Sequence, residues 1–451
     1  MIGIHKEKQK RKFQRMILEN IHGVIRRIDY TLTDADIDIW AQQCILAVEN
    51  EAFDFSTKEK EVFTQSGKRR VIYHYPKLSV ENFICHYLKK RLDKVFKIEY
   101  ASRSKIINLL FNTIPALKNM NDFVIVRADF KSFFDSVLSC FVYEKYVLPS
   151  LLPRGDKDIL EKYINEYKYC YAGLCLSNGM TEIVCRDFDK KLKARLTTYG
   201  VFFYERYVDD MLIMLNSYVS QDEIIDIINT TISETFGTCP VRLSTSPGKF
   251  SYISRRGLLA FQKFNFLGYE FFINESNGNI SFQYGITEKK RSRYSNIIER
   301  AFAQYAVNYD EELLRQRIKI FSSRVVIARQ LMGTSLDWLT KGVVANYNEL
   351  RNYAGYLHRD TKEFLENLYY ILLRKYHLKR PYFIPKKCNE ESIYNLFSNM
   401  KRNRTLLFEE NIGIPKEVLL DWMLKIDASY SSRGKDYYRI VIDYLEKIKI
   451  E

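Results

Sequence analysis

Two blocks of strand-forming residues, Phe202 to Val208 and Met211 to Leu215, are interrupted only by Asp209 and Asp210. The pattern predicts an apolar hairpin tipped by two carboxylates. Upstream, Phe123 to Ala128 is a short buried-type strand ending in Asp129. Helical patterning fills the space between, in an insert around Pro153 to Tyr171 and again over Glu182 to Leu196. Near the start, Lys6 to Arg27 is amphipathic, with Phe13, Met16, Ile17 and Ile21 on one side and Lys6, Lys8, Lys10, Arg11, Lys12 and Arg15 on the other. An RNA-contacting helix and a solvated surface helix are equally open readings of it. Thr33 reads as the N-cap of a helix running to about Asn50. From Thr287 onward helices are expected, including Glu311 to Leu331, Asn346 to Leu357 and Thr361 to Leu378. Arg380-Pro381 marks a break before a small helical C-terminal segment with basic patches at Lys401-Arg402-Asn403-Arg404 and at Lys447 and Lys449.

Two adjacent carboxylates on a tight turn repel, so one must take a proton unless a cation intervenes. Hard oxygen ligands are what Mg²⁺ selects. For the hairpin alone, an ordinary Asp-Asp turn is an equal alternative. The strand ending in Asp129 changes that, because two-metal phosphoryl transfer uses carboxylates from separate strands around ions roughly 3.5–4 Å apart.

Tyr207-Val208-Asp209-Asp210 resembles the catalytic box of reverse transcriptases, and Asp129 to Asp135 resembles their first palm motif. Around these lie weaker likenesses. Gly173 to Thr181 stands where that family carries a Pro-Gln-Gly loop, with Gly179 matching the glycine and Ser177-Asn178 replacing Pro-Gln. Leu243 to Lys249 is similar to the motif whose lysine approaches the triphosphate, and Phe266-Leu267-Gly268 to the primer-grip hairpin. Gly67-Lys68-Arg69-Arg70, before apolar Val71 to Tyr75, is similar to the fingers strands. The likeness covers residues 67–270.

The resemblance implies an α+β right-hand polymerase. Its parts would be an N-terminal helical extension (1–64), fingers and palm with an antiparallel sheet (65–284), an α-helical thumb (285–380) and a helical C-terminal domain (381–451). It implies RNA-directed DNA synthesis, with Asp129, Asp209 and Asp210 as catalytic ligands of two Mg²⁺ ions, Mn²⁺ as a substitute, and the Phe130 carbonyl as a further ligand. One ion would activate the primer hydroxyl and the other neutralise the triphosphate. Lys68, Arg70, Phe134, Gly179 and Lys249 are the expected contacts of the incoming dNTP, with Phe134 beside its sugar. Asp135 reads as structural, and Asp187 and Asp189 as solvated or salt-bridged. A stand-alone chain with this divergent middle motif resembles bacterial abortive-infection and antiphage-defence reverse transcriptases. That subclass implies an RNA template, often a dedicated noncoding RNA, and a DNA product. A homo-oligomer or accessory protein stays open. Template-independent or protein-primed synthesis, and a silent nucleic-acid-binding scaffold, are the alternatives.

Composition fits a polyanion partner: 70 Lys and Arg against 55 acidic residues give a net charge of +15. The 33 tyrosines and 29 phenylalanines supply core and stacking surface. Eight scattered cysteines without a Cys-x-x-Cys pair give no zinc spacing. No membrane partner is expected, since no run of eighteen apolar residues occurs, and Met1 to Arg27 is too charged for a signal core. These features predict a cytoplasmic protein.

Overall fold

The computed structural model describes residues 2–24, 34–65, 68–76, 78–258, 261–331, 335–388 and 390–449. It is α+β, with antiparallel sheets among many helices, and divides into two compact units. The first comprises residues 1–103 and 120–256, the second 104–119 and 257–451.

The first unit opens with helices Ile2–Val24 and Asp34–Glu49. Thr33, the expected cap, lies outside the described residues. Phe13 is buried and stacks on Tyr87 at 4.7 Å. Part of the cationic face is paired with acidic residues of the next helix, Lys6 with Glu49 and Lys10 with Asp38, each at 2.8 Å. A hairpin of β1 (Glu59–Gln65) and β2 (Lys68–His74) follows. It docks on the segment before helix Cys175–Leu196 through Tyr73 N–H to Ala172 O at 3.0 Å. Gly173, at φ +98°, permits that approach, because a Cβ there would strike the Tyr73 carbonyl.

The central sheet contains β3 (Val124–Asp129), β4 (Val201–Tyr207), β5 (Asp210–Leu215) and β6 (Ser251–Ser254), in the antiparallel order β4-β5-β3-β6. β3 is interior, which is why its sequence is apolar on both faces. Helices Cys175–Leu196 and Gln221–Phe236 contribute Phe188 and Phe236 to an aromatic cluster with Phe130 and Phe133. All four rings are buried, each worth about 1.5–3 kcal/mol. The second helix is set by a capping residue, Ser220, whose side chain accepts from Glu223 N–H. Helix Cys175–Leu196 corrects one expectation. It begins at Cys175, so Ser177, Asn178 and Gly179 lie within a helix rather than in a loop. Thr181 reinforces that first turn by donating to Ser177 O.

The second unit holds helix Arg103–Thr113 against a sheet of β7 (Phe261–Phe266), β8 (Tyr269–Ser276) and β9 (Asn279–Ile286). Phe111 sits among Tyr269, Phe271, Tyr284 and Tyr353. Helices Glu288–Asn308, Glu311–Phe321 and Arg359–Lys375 follow the sheet.

Here the expected all-helical thumb and C-terminal domain are corrected. The helix predicted over Glu311 to Leu331 stops at Phe321. The chain then forms β10 (Arg324–Leu331), paired with β11 (Ser335–Lys341). β-Branched Val325, Val326 and Ile327 favour that strand, and a short apolar run is ambiguous until its partners are known. Asn346 to Leu357 is a 3₁₀ segment, Asn348–Tyr356, kinked at Tyr353, rather than an α-helix. The C-terminal segment supplies β12 (Thr405–Phe408), which joins β10 in parallel. Its Phe408, Leu419, Ile440 and Tyr444 share one core with Val325 and Ile327.

Candidate active site

In β3 Asp129 stands directly opposite Asp210 of β5. Between β4 and β5 only Val208 and Asp209 remain to make the turn. Val208 has φ +60°, and such a two-residue loop usually has glycine at this position. Holding a β-branched residue there costs about 1–3 kcal/mol, a burden the surrounding structure must offset. Arg206 supplies one restraint by donating from Nη1 to Val208 O at 2.8 Å. Phe130 N–H donates to Asp209 O at 3.3 Å, tying the tip of the hairpin to the end of β3.

Asp129 is 2% exposed. Its backbone carbonyl accepts from Ser244 N–H at 2.8 Å, and Lys131 N–H reaches Arg242 O at 2.9 Å, so the 242–244 segment runs alongside. A turn follows, with Gly248 at φ +79° and Lys249 N–H bonded to Ser246 O. It presents Lys249 Nζ to Asp129 Oδ2 and the Gly248 carbonyl to Arg127 Nη1. Arg127 also donates from Nε to Asp210 Oδ1 at 2.9 Å and from Nη2 to Oδ2 at 3.3 Å.

Three carboxylates therefore share two cations. Burial and the neighbouring Asp129 push the Asp209 carboxyl up to about 6. Burial also raises Asp210, with Arg127 opposing it. No side-chain donor reaches Asp209 among the described residues. Among the described residues no three acidic, thiol or imidazole groups are grouped to hold a metal ion; Lys249 and Arg127 are bonded to Asp129 and Asp210 instead. The donor set itself suits one, being all hard oxygen and short of positive charge, with Asp129 buried and Asp209 and Asp210 half-buried.

Phe133 and Phe134 separate clearly. Phe133 is buried against Phe130 and Phe236, whereas Phe134 is half-exposed. Phe130 is buried, stacked on Phe133 at 4.9 Å, which fixes the backbone beside Asp129. Arg70 is exposed on β2; the Lys68 side chain lies outside the described residues. Gly179 is buried in its helix, near Asp93 and Tyr100. Phe266, Leu267 and Gly268 belong to the other unit, where Leu267 at φ +48° and Gly268 at φ +86° turn β7 into β8.

Two arginines of the site, Arg127 and Arg206, are absent from the residues that the motifs single out. A charged residue inside an apolar interior strand is the signal that marks Arg127. Arg206 is subtler. It is buried, and its five N–H donors are used on Glu182, Asp189 and Val208 O, at 2.8–2.9 Å for its closest bonds. Asp189 thus belongs to a buried network, while Asp187 meets Lys191 and Tyr146. In the second unit, Arg291 is bonded to Glu270, Asp360 and the Ile286 carbonyl. It ties the start of helix Glu288–Asn308 to β8, β9 and helix Arg359–Lys375, while Lys289 and Arg293 on the same helix are exposed.

No family model matches the chain, and no curated protein matches it. Among solved structures, it is similar to the apo telomerase of Candida tropicalis truncated from its C-terminal domain, at 13% identity and a TM-score of 0.36. That match covers 54% of this chain and 60% of the other, a likeness too slight to carry an argument. No helix among the described residues is long and apolar enough to cross a membrane.

Proposed function

We propose that this protein is an RNA-directed DNA polymerase of right-hand architecture. The observation that carries the reading is the opposition of Asp129 and Asp210 on neighbouring antiparallel strands, with Asp209 in the turn between β4 and β5. Asp129, Asp209, Asp210 and the Phe130 carbonyl would hold two Mg²⁺ ions, which when bound supply Lewis acidity toward the primer hydroxyl and the triphosphate. The chain's own residues do the rest. Arg206 restrains the turn that carries Asp209. Lys249, 44% exposed on its loop, is free to exchange Asp129 for a phosphate oxygen. Half-exposed Phe134 would lie against C2′ of the incoming dNTP and exclude a 2′-hydroxyl.

Primer extension on an RNA template with dNTPs tests this. Synthesis that requires Mg²⁺ is the expected result. A preparation that binds RNA yet extends no primer, with or without divalent ions, overturns it. The likeness to antiphage-defence enzymes supports a dedicated noncoding RNA as the template. Sequencing the nucleic acid that copurifies should then return one RNA and its complementary DNA; a random cellular mixture argues against that finer reading.

A further inference from the structure

The basic run Lys401 to Arg404 takes no part in the chemistry proposed for the acidic site. In the second unit it closes helix Leu396–Arg402, with Asn403 as a left-handed C-cap at φ +49°. The Asn403 side chain meets two arginines that come from elsewhere in the unit. With its amide oxygen toward them it accepts from Arg324 Nη1 at 3.1 Å and from Arg351 Nη1 at 3.0 Å, while its nitrogen donates to Asn348 Oδ1 at 2.9 Å. Arg324 opens β10, where its N–H is bonded to Arg404 O at 2.8 Å. Arg351 is exposed on the 3₁₀ segment Asn348–Tyr356.

Two guanidinium groups therefore converge on one neutral oxygen. Neither can shed its proton, and a neutral acceptor offsets little of their repulsion. Among the described residues no carboxylate is paired with either. Their neighbours differ: Arg402 is paired with Glu391, and Lys401 lies over the Phe397 ring at 5.5 Å. A phosphate, with several oxygens for two planar forks, is the group that best satisfies such a pair.

We propose that Arg324 and Arg351, spaced by Asn403, hold a backbone phosphate of a nucleic-acid strand. The choice of a strand over a free anion rests on the polymerase reading and on exposed Arg404, which extends the basic surface along the chain. Asn403 keeps the forks apart and oriented, and the parallel β12–β10 pairing brings the C-terminal segment to Arg324.

Fluorescence anisotropy of a labelled single-stranded RNA on the full chain, across a salt series, tests this. Arg324→Gln with Arg351→Gln should weaken binding roughly ten-fold at low salt. It should also reduce the slope of log affinity against log salt by about 0.7, the share of one phosphate. Arg351→Gln alone, at an exposed position, should give a smaller loss with an unchanged melting temperature. Replacing both by Lys should keep the slope and lose part of the affinity. Unchanged affinity and slope in folded Arg351→Gln and in the double variant overturn the site. If inorganic phosphate stabilises the wild type and not the double variant while RNA binding is equal, the site takes a free anion and the strand assignment falls. Primer extension on the same preparations separates the two proposals. Active extension with arginine-independent RNA binding removes only this site, and absent extension with arginine-dependent binding removes only the polymerase.

Discussion

Two charged clusters share the hairpin β4–β5, and they are built to opposite ends. Around Arg206, two carboxylates and one guanidinium are mutually saturated. Every donor of the arginine is used, and Tyr204 adds a hydrogen bond to Asp189 at 2.7 Å. Around Asp129, three carboxylates meet Arg127 and Lys249, Asp209 receives no side-chain donor, and the lysine is 44% exposed on a loop. Net charge does not separate the clusters, since each leaves one negative charge in excess. Saturation does. A buried pair that is complete fixes a conformation, whereas one with an open acceptor and a replaceable partner is ready to take a cation.

The largest break in this comparison should come from Asp209→Asn with Asp210→Asn. Primer extension should fall by on the order of a thousand-fold or more, since several kcal/mol of charge stabilisation are lost. Folding and RNA affinity should hold, because affinity comes mainly from cations on phosphates. Undiminished incorporation would end the active-site assignment.

Arg206→Met should behave in the reverse manner. It strands Glu182 and Asp189 without their partner, which costs about 3–5 kcal/mol in a urea unfolding curve. Activity in the remaining folded fraction should also drop, as Val208 loses its restraint. A variant of wild-type stability would show that the network is not the saturated structural element described.

Phe134, proposed to lie against the incoming sugar, sharpens the comparison. Phe134→Val should raise ribonucleotide over deoxyribonucleotide use by roughly 5- to 150-fold, matching an overpacking penalty of about 1–3 kcal/mol. Phe133→Val should chiefly lower the melting temperature. If Phe134→Val loses both activities in step with its stability, the sugar gate lies elsewhere.

The smallest effect is on pH dependence. Asp209, raised to about 6, keeps its proton in the folded state while the unfolded chain releases it near pH 4. The folded form therefore loses stability as pH rises from about 4 to about 6 and does not regain it above that window. Asp209→Asn should remove this slope, leaving a melting temperature that no longer falls between about pH 4 and about pH 6. Mg²⁺ should stabilise the wild type at pH 7.5 and have little effect at pH 4.5. A melting temperature that climbs through the window in wild type and not in Asp209→Asn would reverse the sign and count against the site.

Much of the acidic site was legible in the chain because its elements are local. An apolar strand ending in Asp129, and a hairpin whose turn holds Asp209, follow from alternation and burial within a few residues. That Phe133 fills the core is visible only in its packing against Phe130 and Phe236. What the sequence could not state was which distant groups meet those carboxylates. Arg127 reaches Asp210 only through the β3–β5 register, and Lys249 reaches Asp129 only because the 242–244 segment runs beside β3. Arg206, Glu182 and Asp189 form a network only once the helix and the strand are packed. The same holds for β10, whose apolar residues fit helix or strand equally until β11 and β12 supply its hydrogen-bonding partners. Local propensity and periodicity act over a few residues and are written in the chain. Charge pairing and sheet membership act through space, so the tertiary structure decided them.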